Sequence, residues 1–180
     1  MSEITTYERY RLGQAYVADG DGLSAARVLE PAVEAEPTSA ALWLLLARAY
    51  FASARLRPAE AAFERVLEVD PTDDHARFGL GRTLERQSRH EEALAQYRIA
   101  IALSPDSDYL EALHRVEARL AASEGELRAV LEEAYKAEPF VHVVAGQPST
   151  KQVSGTNHAL LSVSADTRTR TAVITCAIDN

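Results

Sequence analysis

Five histidines, one cysteine and two short clusters are the residues of this chain whose types could do chemistry. His75, His90, His114, His142 and His158 are scattered and form no H-x-x-x-H or H-E-x-x-H pattern, the spacing that sets two imidazoles on one helix face toward a zinc ion. Cys176 has no second cysteine for a disulfide and no Cys or His beside it at metal-ligand spacing. Gly20-Asp21-Gly22 has the glycines of a phosphate-binding loop but neither a preceding strand nor a Gly-Lys-Ser/Thr, so it reads as a turn. Glu132 and Glu133 are neighbours that point to different sides of a helix, and read as solvated charge. No nucleophile, base and orienting group are brought together. The expectation is a chain that is not an enzyme, with no catalytic residue, no cofactor and no metal site.

What remains is surface, and the elements that shape it. The stretch Ala40–Ala52, AALWLLLARAYFA, is apolar at every position except Arg48, so as a helix it has no face suited to water. It is well short of the roughly 20 residues that cross a bilayer. It is therefore expected to be buried in a layered helical protein. The start, MSEITTYERYR, has no apolar run behind a basic one, so no secretory signal is expected. A net charge of −8, from 19 Lys+Arg against 27 Asp+Glu, argues against nucleic acid or an anionic membrane as partner, since both need clustered cations. With a single cysteine, these features point to the cytoplasm, and the Ala, Arg and Leu usage to a GC-rich bacterial genome.

Pro37, Pro71, Pro105 and Pro139 recur every 34 residues, each after a helical pattern, where the missing N–H and the restricted preceding residue stop a helix. The units so delimited are about 6–39, 40–73, 74–107 and 108–141. Leu12, Gly13 and Tyr16 on the first helix of unit one match Leu46, Ala47 and Tyr50 in unit two and Leu80, Gly81 and Leu84 in unit three. Ala25, Ala59 and Ala93 share one slot on the second helices, where helices must approach closely. Thr5-x-x-Glu8, Ser88-x-x-Glu91 and Ser123-x-x-Glu126 read as capping boxes.

Trp43, Leu46, Ala47 and Tyr50 fit W-x2-L-(G/A)-x2-Y, and with the 34-residue period the chain resembles the tetratricopeptide repeat family. The resemblance implies an all-α, right-handed helical-repeat solenoid over residues 1–140, of three regular hairpins plus a degenerate fourth, in which His114, Arg115 and Leu127 depart from the pattern. Two helices are still expected over 108–141. Trp43 is expected to lie buried against Ala59 and Phe63.

Stacks of this kind bind along the concave surface lined by the first helix of each hairpin. Tyr10, Gln14 and Val17, then Leu44, Arg48 and Phe51, then Phe78, Arg82 and Glu85 with Arg86 beside it, hold that face by their i, i+4, i+7 spacing. The candidate groove is thus Tyr10, Gln14, Leu44, Arg48, Phe51, Phe78, Arg82 and Arg86. Some members of the family bind the acidic C-terminus of chaperones through a clamp of Lys, Asn and Arg. Here those places hold Tyr10, Gln14, Leu45, His75 and Gly79, so that activity is not carried over.

Residues 141–180 are rich in Thr, Ser and Val and carry few charges. Three β-prone runs, Phe140–Val144, His158–Ser164 and Ala172–Ile178, surround a loop-like segment, and the last two could pair as a hairpin. This tail is weakly specified, a β-hairpin or disordered, and its residues suggest no family. The function expected is a protein–protein interaction adaptor that binds a protein or peptide segment with apolar anchors and acidic residues. The alternative is a structural, self-associating module whose groove is closed by a homodimer partner or by the chain's own tail.

Overall fold

The computed structural model describes residues 4–155, 158–166 and 171–178. The chain forms two compact units, Met1–His114 and Arg115–Asn180. The first holds six helices paired as hairpins: α1 (Thr6–Ala18) with α2 (Gly22–Ala35), α3 (Ala40–Ala52) with α4 (Leu56–Val69), and α5 (Asp74–Arg86) with α6 (His90–Leu103). The apolar stretch of the sequence is α3 itself, with Leu42, Leu45, Leu46, Ala47 and Ala49 buried.

The small-residue slots do what their spacing implies. Ala25, Ala59 and Ala93 are each fully buried. A Cβ on Gly13 would stand 2.7 Å from Leu29, and one on Gly81 would stand 2.5 Å from the Tyr97 ring, so each glycine lets the facing helix close on the first. The turn inside each hairpin also repeats at 34 residues. Gly20, Ala54 and Ser88 all have positive φ, at 79°, 58° and 62°. Each is followed by a residue whose N–H bonds a carbonyl five positions back: Asp21 to Tyr16, Arg55 to Tyr50 and Arg89 to Leu84. This is the Schellman closure, which satisfies the orphan carbonyls of the first helix and reverses the chain.

The capping box at Thr5 and Glu8 is present, with each side chain bonded to the other's backbone N–H. The other two are corrected. Ser88 is spent on the left-handed turn, leaving Arg89 as an N-cap with no side-chain bond. Ser123 lies inside a helix. Trp43 is half-buried rather than buried, with its indole N–H donating to the Pro37 carbonyl at 2.9 Å and its ring packed at the margin of the first core cluster.

The pair of helices expected over 108–141 is one helix, α7 (Ser107–Ala134). Arg115 stands in the slot that is Gly or Ala in the three hairpins, where a second helix must approach closely, and Ala121 and Glu124 are good helix formers. The compact units meet within α7, whereas the change of composition comes at residue 140. In the second unit, β1 (Val141–Val143), α8 (Thr150–Val153), β2 (Ala159–Asp166) and β3 (Thr171–Ile178) follow. All three β-prone runs are strands. β2 and β3 pair antiparallel from Ala159↔Ile178 to Asp166↔Thr171, and β1 adds to β2 in parallel from Val141↔Ala159 to Val143↔Leu161. The third strand and α8, which packs its buried Val153 near β3, give the hairpin the support that two strands alone lack in water. No described helix is long and apolar enough to cross a membrane.

Candidate binding groove

In the first unit, α1, α3 and α5 lie side by side and enclose a groove of about 520 Å³. From α3 come Leu44, Arg48, Phe51 and Ala52, at i, i+4, i+7 and i+8; from α5 come His75, Phe78, Gly79 and Arg82, at i, i+3, i+4 and i+7. Val17 of α1 and Phe63 of α4 complete the lining. Five of the sequence-derived residues, Leu44, Arg48, Phe51, Phe78 and Arg82, are thus brought to one cavity. Arg86 stands at its margin, where its Nη1 donates to the Phe51 carbonyl at 3.0 Å. Tyr10 and Gln14 do not line it. Tyr10 packs against the first core cluster, and its hydroxyl accepts from Gln14 Nε2 at 3.2 Å.

The floor is apolar, with Leu44, Phe51 and Phe78 half-buried, and the rim is cationic. The guanidinium carbons of Arg82 and Arg86 each stand 4.8 Å from the Phe51 ring centre, and Arg82 is 5.7 Å from Phe78. Such contacts contribute on the order of 0.5–1 kcal/mol at exposed sites and hold the cations over the floor. Among the described residues neither Arg48 nor Arg82 has a carboxylate partner.

One end of the groove is set by a relay. Tyr109 Oη donates to Asp74 Oδ2 at 2.9 Å, so the 2.8 Å contact to His75 is filled by a proton on Nδ1 of the imidazole. Burial first, then the neighbouring Asp74, push the Tyr109 phenol well above its ordinary value, so it stays a donor. Its ring lies 4.4 Å from Phe78 and fixes that side of the floor. His75, Gly79 and Phe63 were not among the candidates. The first two share the Phe78/Arg82 stripe and so were findable by helical spacing. Phe63 belongs to a second helix, and enters because Gly79 has no side chain: a Cβ there would stand 2.4 Å from the Phe63 ring.

Two family models described as tetratricopeptide repeat match residues 16–69 and 44–108. The first such domain of Spaghetti (RPAP3), solved with an HSP90 peptide, superposes with a TM-score of 0.62 at 20% identity, covering 67% of this chain and 97% of that one. The Arabidopsis OM64 domain gives 0.60 at 20% identity, covering 62% and 93%. The helical repeat belongs to the tetratricopeptide repeat family. At such identities the likeness to the solved structures is one of fold.

The C-terminal part is similar to something else. Residues 111–180 match a family model described as semialdehyde dehydrogenase, dimerisation domain. The N-acetyl-gamma-glutamyl-phosphate reductase of Arthrobacter sp. (strain FB24) is 56% identical over 57 residues, which are 31% of this chain and 17% of that protein. The reductase of Moorella thermoacetica is 38% identical over 95 residues, 49% and 27% of the two chains. The chain thus spans about a sixth to a quarter of the length of these curated relatives. The tail that suggested no family has one it resembles, and the match begins at 111, just ahead of His114 and Arg115, where the tetratricopeptide pattern lapses.

Proposed function

We propose that the tetratricopeptide unit is a non-catalytic adaptor that holds an extended or helical segment of a partner protein in the α1/α3/α5 groove. The observation that carries this reading is a half-buried apolar floor of Leu44, Phe51 and Phe78 under guanidiniums that lack carboxylate partners among the described residues. Such a surface suits a segment with apolar anchors followed by acidic side chains: the anchors supply most of the affinity, and the arginines supply orientation and on-rate. Peptide binding by a neighbour of the same fold supports the reading in kind. The clamp positions here are Tyr10, Gln14, Leu45, His75 and Gly79, so a chaperone tail is not the expected ligand. A panel of peptides pairing aromatic or leucine anchors with Asp and Glu, measured by fluorescence anisotropy, tests this. Leu44→Asp/Phe51→Asp should abolish binding, and Arg82→Ala should weaken it about tenfold and lower its salt dependence without abolishing it, since Arg48 and Arg86 remain. A panel that binds the double variant as well as the unaltered protein would sink the proposal.

A second reading, self-association, is favoured by the likeness of residues 111–180 to a dimerisation domain and by exposed Ile174 and Ile178 on one face of β3. Here the groove would be closed by a homodimer partner or by the chain's own tail. Sedimentation separates the cases: a dimer split by Ile174→Asp places the contact on the sheet, and one split by Phe51→Asp places it in the groove. Turnover of N-acetyl-gamma-glutamyl phosphate by the purified chain would overturn the non-catalytic reading.

A further inference from the structure

We propose that His142 and His158 form a binding site for one divalent transition-metal ion of the imidazole-preferring class, such as Zn²⁺ or Cu²⁺. His142 sits in β1 opposite Leu160, and His158 precedes Leu160 by two positions, so the parallel register sets both imidazoles on one face of the sheet. Their rings stack at 4.8 Å between centroids, and Nε2 of His142 lies 2.7 Å from Nδ1 of His158. Only one proton fits between those nitrogens, so one imidazole is already presenting a lone pair to the other. Replacing the shared proton by a metal ion turns both nitrogens into ligands. On a tetrahedral ion with bonds of about 2.0–2.1 Å they would stand about 3.3 Å apart, so the two rings need to separate by roughly half an ångström. His142 is exposed and His158 half-exposed, and an edge contact with the Phe140 ring steadies the latter.

A second feature favours a cation in the neighbourhood of His142. His142 lies in the wall of a pocket of about 340 Å³ that also carries Glu132, Glu138, Tyr135 and Lys136. The Lys136 ammonium is engaged by Glu133 at 3.3 Å, and the two lining carboxylates make the pocket attractive to positive charge. Among the described residues no third histidine, cysteine or carboxylate stands close enough to complete a coordination sphere. Water would supply the remaining positions of the proposed ion. Two imidazoles with water discriminate against Mg²⁺ and Ca²⁺, which take oxygen donors, and in favour of Zn²⁺, Ni²⁺ and above all Cu²⁺. The pair escapes a reading by spacing because 16 positions separate the two histidines, and only the crossover from β1 to β2 brings them together.

Titration of the full chain with Zn²⁺ in a calorimeter tests the site. One ion should bind per chain at pH 7.5, with no heat from Mg²⁺. Affinity should fall at least about tenfold by pH 5.5, because protonated imidazoles cannot ligate. His142→Ala and His158→Ala should each cost about tenfold or more, since even the outer partners of a metal ligand contribute that much. His114→Ala, an exposed histidine elsewhere, should cost nothing. Zn²⁺ binding that survives both substitutions, or that drops equally in all three variants, overturns the proposal. A measurement on the unaltered protein guards against variants that misfold: substoichiometric Cu²⁺ should broaden the amide resonances of residues 140–143 and 158–160 first. Broadening that begins elsewhere equally overturns it.

Discussion

In the helical repeat, each hairpin closes on itself within 34 residues, and Gly20, Ala54 and Ser88 make the same left-handed turn three times. In the C-terminal sheet, β1 reaches its partner β2 only across residues 144–158, and β2 must also find β3. The repeat draws on contacts near in sequence, so its signals add up in register and survive individual lapses, such as the missing N-cap side-chain bond at Arg89. The sheet is written once, with no second copy to average over. Its side chains are also less deeply buried: Ile174 and Ile178 are 55% and 64% exposed, whereas Tyr97, the largest fully buried side chain of the repeat, is 0% exposed.

The sharpest way to break the contrast is at Tyr97. Its ring closes on Gly81 and its hydroxyl donates to Glu85 at 2.8 Å, so Tyr97→Ala should cost about 3–5 kcal/mol in a urea melt followed by helical circular dichroism. A loss below about 1 kcal/mol would mean that the third hairpin is not packed as described. Leu161, 8% exposed at the centre of the sheet between Val143 and Cys176, is the matching position in the second unit. Leu161→Ala should cost about 2 kcal/mol, at the low end for a buried leucine because the adjoining β3 face is open to water. Amide exchange is the suitable probe, with faster exchange expected in β1 to β3 and none of the increase in α1 to α6.

The smallest effect concerns the turns. Ala54 and Ser88 hold a backbone conformation that costs an L-residue about 1 kcal/mol, so Ala54→Gly and Ser88→Gly should each be stabilising or neutral, within about 0.5–1 kcal/mol. Gly20→Ala should be destabilising by a similar amount, although a Cβ there meets nothing within 4 Å. Thermal melts that rank the three substitutions otherwise would remove the shared turn from the comparison.

The sequence alone determined the helical repeat, because a period of 34 with fixed small and large slots is a local signal repeated three times. Ala40–Ala52 is a helix to the residue, and five of eight candidate residues share the groove because helical spacing alone decides which side chains share a face. It also marked the three β-prone runs, since β-branched residues report strand preference without reference to a partner. Tertiary structure alone decided the rest. It turned Tyr10 toward the core and admitted Phe63 to the groove through the space left by Gly79. It ran α7 as one helix through the place where a fourth turn was expected. It set β1 parallel to β2 and so brought His142 against His158, a contact that no spacing encodes, since the partner of a strand is chosen by the packing of the whole unit.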